Sequence, residues 1–126
     1  MNSQRMTIRI KRVYEEPDKA DGRRILVDRL WARGVSKDRA KVDVWAKEIA
    51  PSTELRRWYG HDPNKWTEFK SRYAAELDAN FDQVEEIVKE VQAGVVTFLY
   101  SSKEEQLNNA VALKQYIESI IQDKAL

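Results

Sequence analysis

The stretch RILVDRLWARG, residues 24–34, decides the fold, because a run of aliphatic side chains passes directly into charged ones. Ile25, Leu26 and Val27 form a short continuous apolar run, which is typical of a strand covered on both faces. An aspartate, two arginines and a tryptophan follow before Gly34. The sequence therefore predicts a central strand whose carboxyl end carries a polar site.

A second strand is expected to bring another polar segment to the same edge. VVTFLY, residues 95–100, is the clearest strand pattern in the chain, and Ser101 and Ser102 follow it. We expect a long amphipathic helix next, opened by a capping box between Ser102 and Glu105. In open α/β sheets, ligands bind beyond the carboxyl ends of the strands. If the two strands are neighbours, their polar ends line one crevice.

The N-terminal third of the chain predicts shorter elements. Residues 6–14 alternate apolar and polar side chains, as in a half-buried strand near a sheet edge. Residues 15–22 are expected to form an exposed polar connection with a turn at Gly22. Residues 36–50 favour a helical turn capped by Ser36, followed by a short strand.

Three further helices are predicted from capping residues and apolar stripes. The first begins after Ser52, and the second begins after Asp62 with Pro63 at its first position. Asn80 and Gln83 are expected to form a capping pair for the third. The apolar stripe of the second helix comprises Trp66, Phe69, Tyr73 and Leu77. Strands separated by helices predict a single α/β domain over residues 1–126, with a small, mostly parallel sheet and helices packed on its faces.

Composition excludes several chemistries. The chain has no cysteine, which removes disulfides, thiolate nucleophiles and iron–sulfur ligation. His61 is the only histidine, so a multi-histidine metal site is excluded, and we expect neither a metal nor a cofactor. No apolar run approaches the ~20 residues of a membrane-spanning helix, so we expect a cytoplasmic protein that does not enter a membrane.

Charge is unevenly distributed along the chain. Residues 1–75 hold 18 Lys and Arg against 11 Asp and Glu, whereas residues 76–126 hold 4 against 10. A basic half suits phosphates or nucleic acid, and a complementary acidic half would support a homo-oligomer. Solvated helix surfaces would account for the same pattern, so both interpretations stay open.

The charged end of the first predicted strand is a candidate anion clamp. Arginine binds phosphate and carboxylate bidentately, so Arg29 and Arg33 could hold an anion beside Trp31, with Asp28 pairing one guanidinium. Alternatively, Asp28 and Arg29 pair with other elements and hold the strand end in place. His61 is a candidate general acid or base, or a turn residue that donates to a helix end. The predicted ligand-binding residues are Asp28, Arg29, Trp31, Arg33, Arg56, His61, Tyr100, Ser101 and Asn108.

Five segments together resemble the YeaO-like family of small bacterial proteins, a branch of the DUF488 group. They are IKRVY, DGRRILVDRLWARG, WAKEIAPSTELRRWYGHDP, WTEFKSRYAAEL and LYSSKEEQLNNAVALKQYI. The family pattern has proline where this chain has Ala32, which implies a less rigid loop here. The resemblance implies no established activity. Longer relatives carry cysteine near the last strand, where this chain has Tyr100 and Ser101, so no thiol-dependent activity carries over.

Three functions are compatible with these observations. The first is binding of a small anionic ligand by the predicted residues, with enzymatic activity left undecided. The second is a nucleic-acid-associated module that uses the basic N-terminal half, for which a steep loss of affinity with salt is characteristic. The third is a structural or interaction protein whose charged residues only support the fold.

Overall fold

The computed structural model describes residues 6–124, in which four parallel strands form one sheet. The strands are β1 (Ile8–Arg12), β2 (Arg23–Leu26), β3 (Val44–Trp45) and β4 (Val96–Tyr100). Their spatial order is β1-β4-β2-β3, and all three pairings are parallel. The predicted α/β fold is therefore confirmed, with β1 at an edge and with β2 and β4 as neighbours in the centre.

Five α-helices connect and cover these strands within the described residues. They are α1 (Lys37–Ala40), α2 (Thr53–Tyr59), α3 (Trp66–Asp78), α4 (Phe81–Ala93) and α5 (Asn109–Lys124). Ser36 and Ser52 accept backbone hydrogen bonds at the starts of α1 and α2, as predicted. Asp62 caps a 3₁₀ turn, Pro63–Lys65, that leads into α3. None of the helices in residues 6–124 has both the length and the apolar character that spanning a membrane requires.

The two central strands bury side chains on both faces of the sheet. Ile25 and Phe98 belong to the larger core with residues of α2 to α5, and both are fully buried. Leu26 and Leu99 point the opposite way and pack with Ala40 of α1 in a second cluster. Because both faces are covered, these strands carry apolar residues continuously instead of in alternation.

The helix after β4 begins later than predicted. Ser102 does not cap it, because the Ser102 hydroxyl donates to the main-chain oxygen of Glu104. The Glu104 carboxylate accepts the N–H groups of Gln106 and Leu107, which forms a turn ahead of the helix. Asn108 is the cap instead, since its side chain accepts the Val111 N–H at 3.0 Å. The capping box expected between Ser102 and Glu105 is therefore wrong.

The capping pair predicted for α4 is also wrong. The Asn80 side chain makes no capping hydrogen bond, and its Nδ2 donates to the main-chain oxygen of Glu48 at 2.9 Å. Gln83 contributes only its N–H, which donates to the Asn80 main-chain oxygen. Asn80 thus ties the start of α4 to the 3₁₀ turn Lys47–Ile49, a tertiary contact that the local sequence pattern does not reveal.

The connection between β1 and β2 is not fully exposed, contrary to the prediction. Asp21 is 2% exposed, and its carboxylate accepts hydrogen bonds from Lys11 and, at 2.5 Å, from Arg24. Arg24 is buried as well and donates to the main-chain oxygen of Ala40. Burial raises the pKa of Asp21, but hydrogen bonds from the Asp18 N–H, Lys11 and Arg24 outweigh burial and lower that pKa below its ordinary value.

The turn predicted at Gly22 is confirmed. Gly22 has a φ of 63°, a left-handed conformation that side chains disfavour. A Cβ atom at this position would lie 2.2 Å from the main-chain oxygen of Val95. Only glycine therefore allows the chain to enter β2 so close to the residue that precedes β4.

Candidate functional site

A cleft of about 590 Å³ opens at the carboxyl edge of the sheet, where β2 and β4 end. Residues 28–33, which follow β2, line it together with residues 101–102 and 108–109, which follow β4. The α2 helix, the two residues before its cap, and the side chains of Tyr14, His61 and Phe69 complete the walls. We call this cavity the basic cleft. Its position confirms that the two strand ends meet at one crevice.

Eight of the nine predicted ligand-binding residues line the basic cleft. They are Asp28, Arg29, Trp31, Arg33, Arg56, His61, Ser101 and Asn108. The ninth, Tyr100, is 3% exposed and packs in the larger core. Arg57, Ser102 and Asn109 line the cleft as well, although they lie outside the predicted set of nine, and Arg57 follows Arg56 on α2. The pairing of arginines in LRRWYG was the available signal.

Asp28 joins three parts of the chain at the back of the basic cleft. Its Oδ2 accepts the Ser101 N–H at 2.9 Å and the Ser101 hydroxyl at 2.7 Å. Its Oδ1 accepts Asn109 Nδ2 at 3.1 Å, and the same amide donates to the Val27 main-chain oxygen. Asp28 forms no salt bridge with any described arginine, so the expected pairing with a guanidinium is absent from this part of the chain.

Arg29 and Trp31 are held by main-chain oxygens. Arg29 Nη2 donates to Ala50 at 3.1 Å, which links the loop after β2 to the segment before α2. Arg29 Nε is the one buried side-chain nitrogen or oxygen within residues 6–122 that lacks a hydrogen-bond partner. Trp31 Nε1 donates to Val35 at 2.7 Å, and its ring meets Trp45 edge to face at 5.4 Å. The guanidinium of Arg29 thus keeps an unused donor.

Positive charge dominates the lining of the basic cleft. Four arginines line it, Arg29, Arg33, Arg56 and Arg57, and none of them forms a salt bridge with another described residue. Asp28 is the only carboxylate among the described lining residues, and both of its oxygens accept hydrogen bonds. No group of histidine, aspartate or glutamate side chains in residues 6–124 is arranged to hold a metal ion.

His61 reaches the basic cleft through two successive left-handed residues. Gly60 ends α2 with a φ of 52°, and His61 follows with a φ of 57°, which is uncommon for a residue other than glycine. The His61 ring lies 5.9 Å from the ring of Tyr59. Burial, with a smaller effect from nearby carboxylates, raises the pKa of Tyr59, whose neutral hydroxyl donates to the Leu107 main-chain oxygen at 2.7 Å.

Fold and cleft together define a small parallel α/β protein with an arginine-lined site at the carboxyl edge of its sheet. The family described as "Inactive DUF488-N3 subclade" matches residues 7–125. The chain is 41% identical over 110 residues to the uncharacterized protein Rv3073c of Mycobacterium tuberculosis, covering 87% of this chain and 92% of that one. It is 38% identical over 115 residues to the uncharacterized protein YeaO of Escherichia coli, covering 91% and 100%. No solved structure matches. The chain belongs to the YeaO-like DUF488 family.

Proposed function

We propose that this protein binds a small anionic ligand, bearing phosphate or carboxylate, in the basic cleft. The observation that carries the proposal is the excess of four lining arginines over one carboxylate, Asp28, whose oxygens are already occupied by Ser101 and Asn109. A cleft lined by one sign of charge focuses potential and concentrates ions of opposite sign. An anion between these guanidinium groups would relieve their mutual repulsion and satisfy their free donors.

The arginines differ in how they are placed for this role. Arg29 is anchored by the Ala50 oxygen and retains a donor, so it is preorganised. Arg33, Arg56 and Arg57 are exposed side chains on the loop after β2 and on α2. A guanidinium presents a fork of N–H donors that matches phosphate and carboxylate. We assign Arg29 to fixing the position of the anion and the exposed arginines to enclosing it.

Binding without turnover is the form of the proposal that the observations favour. The matching family is described as inactive. The sequence contains no cysteine to act as a nucleophile, and the carboxylate of Asp28 is committed to three hydrogen bonds. His61 is the remaining candidate acid or base. We expect His61→Gln to change the affinity for an anion without abolishing any reaction.

The test compares Arg33→Ala with a matched control outside the basic cleft. Arg9→Thr removes the same charge from an exposed position of β1 and keeps a residue that strands favour. Inorganic phosphate and citrate are titrated into each protein by calorimetry at fixed ionic strength, and thermal denaturation is followed in parallel. An anion present at 100 times its dissociation constant should add about 2.7 kcal/mol to the free energy of unfolding.

We expect Arg33→Ala to weaken anion binding at least tenfold while leaving the melting temperature of the unliganded protein unchanged, and Arg9→Thr to bind as the wild type does. Equal weakening in both variants would mean that only net charge matters, and the proposal would fail. Binding of a 12-nucleotide single strand that is tighter than either anion and falls steeply with salt would instead favour the nucleic-acid alternative.

A further inference from the structure

We infer that the anion bound in the basic cleft also carries a planar aromatic ring, the chemistry of a mononucleotide. This inference rests on the proposed function and names the class of ligand. The cavity of about 590 Å³ falls inside the range of ~300–1,000 Å³ found for sites of organic ligands. A single phosphate group would leave most of that space unfilled. The rest of the lining therefore determines what else the ligand carries.

Three of the aromatic side chains that line the basic cleft, Tyr14, Trp31 and Tyr59, already use their polar group as a hydrogen-bond donor. The Tyr14 hydroxyl donates to the main-chain oxygen of Arg33 at 3.0 Å. Trp31 Nε1 and the Tyr59 hydroxyl donate to main-chain oxygens as well, each at 2.7 Å. The rings thus have no free donor for a ligand and offer it only their apolar surfaces. Because hydrogen bonds hold the rings in place, stacking on them costs little conformational entropy.

Exposed apolar surface lies beside the arginines of the basic cleft. Tyr59 is buried and stacks on Phe69 with 4.3 Å between ring centroids, which makes it part of the cleft floor. Tyr14 is 45% exposed and Leu30 is 66% exposed, and both line the cleft. The Arg12 guanidinium lies 4.8 Å from the centre of the Tyr14 ring. Covering Tyr14 and Leu30 would remove apolar area from water, which is favourable.

A mononucleotide matches both the arginines and the aromatic rings of the basic cleft. Its phosphate would be taken by the arginine forks, and its base would stack on the aromatic rings, as bases do in proteins that bind single nucleotides or strands. Charge alone would accept any small anion of suitable size. The rings supply the selectivity, since a sugar phosphate has no planar group to place against them.

Calorimetry with three kinds of ligand tests this inference on the full chain. The ligands are inorganic phosphate, ribose 5-phosphate and the four ribonucleoside 5′-monophosphates, at one ionic strength. We expect at least one nucleotide to bind tenfold or more tightly than ribose 5-phosphate. Tyr14→Leu should remove most of that advantage and leave ribose 5-phosphate binding unchanged, whereas Tyr14→Phe keeps the ring and should keep the advantage. Trp31→Leu provides a second variant at the other ring.

The outcomes separate the two proposals. Equal affinity for the nucleotides and for ribose 5-phosphate would overturn the aromatic ligand and leave the anion site standing. An advantage retained in both Tyr14→Leu and Trp31→Leu would also overturn it, because the rings would then not contact the base. If none of the three kinds of ligand binds the wild-type protein, the anion site itself fails. If the Trp31→Leu variant does not fold, the comparison of Tyr14→Leu with Tyr14→Phe decides between the outcomes.

Discussion

Replacing Asp28 by alanine tests whether the charge at the end of β2 holds the fold together. The Asp28 carboxylate accepts three hydrogen bonds, two from Ser101 and one from Asn109, and these join β2 to the end of β4 and the start of α5. The Asp28→Ala variant removes both acceptor oxygens and with them all three hydrogen bonds. The Ser101 N–H then loses its protein partner in a half-buried site, and Asn109 Nδ2 keeps only the Val27 main-chain oxygen.

The size of the effect follows from these contacts. A hydrogen bond to a charged group contributes ~1.5–3 kcal/mol, so three bonds at the low end of that range sum to ~4.5 kcal/mol. Because Asp28 is only half-buried, water replaces part of what is lost, and we expect the free energy of unfolding to fall by about 3 kcal/mol. Ser101→Ala removes only the hydroxyl bond and should cost about 1 kcal/mol.

Urea unfolding at 25 °C measures both changes, with the free energy extrapolated linearly to water. A double-mutant cycle between Asp28→Ala and Ser101→Ala should give a coupling of about 1 kcal/mol, because the two residues contact each other directly. A loss below ~1 kcal/mol for Asp28→Ala, together with weaker phosphate binding, would refute the reasoning. Asp28 would then be a ligand-binding residue that the fold does not need.

Two further predictions concern the buried acid and the start of α5. Because the pKa of Asp21 is lowered in the folded protein, its charge stabilises the fold above the pKa of an unfolded aspartate, and that contribution is lost as pH falls towards the folded pKa. The difference in unfolding free energy between the wild type and Asp21→Asn should therefore shrink between pH 7 and pH 3, and a constant difference would contradict this. Asn108→Ala should cost about 1 kcal/mol through loss of the cap, and Ser102→Ala about 0.5 kcal/mol, as measured in urea. Equal costs would argue against a helix that begins at Asn109.

The sheet could be predicted because the order of apolar residues within each strand shows which of its faces are buried. Strands covered on both faces need consecutive apolar residues, and Ile25 with Leu26 supplies one on each side. The same holds for Phe98 and Leu99 in β4. The convergence of the two strand ends then follows from parallel topology alone. That is why eight of the nine predicted ligand-binding residues lie in the basic cleft.

The start of α5 could not be predicted because two local patterns compete. Ser102 and Glu105 satisfy the spacing of a capping box, but Glu104 accepts the N–H groups of Gln106 and Leu107 instead. These backbone donors, that of Leu107 first, lower the pKa of Glu104, which favours its charged form as an acceptor. Sequence spacing alone does not rank one acidic side chain above its neighbour.

The buried pair of Asp21 and Arg24 lay beyond sequence reasoning for another reason. An acid in a polar segment ahead of a glycine is normally exposed, and nothing local distinguishes Asp21 from Asp18. Its burial depends on Lys11 from β1 and on Arg24, whose guanidinium is also held by the Ala40 oxygen. These partners meet only once β1, β2 and α1 have packed, so the contact is a product of the tertiary structure.

The position of β4 between β1 and β2 constrains the order in which the chain can be completed during synthesis. Within the described residues β1 pairs only with β4, and β2 pairs otherwise only with the two-residue β3. A ribosome releases residues 27–95 before the first residue of β4 emerges, and until then β1 has no partner strand. The basic cleft needs Ser101 and Asn109 as well. A nascent chain therefore completes its sheet and its binding site only after β4 and the start of α5 have been synthesised.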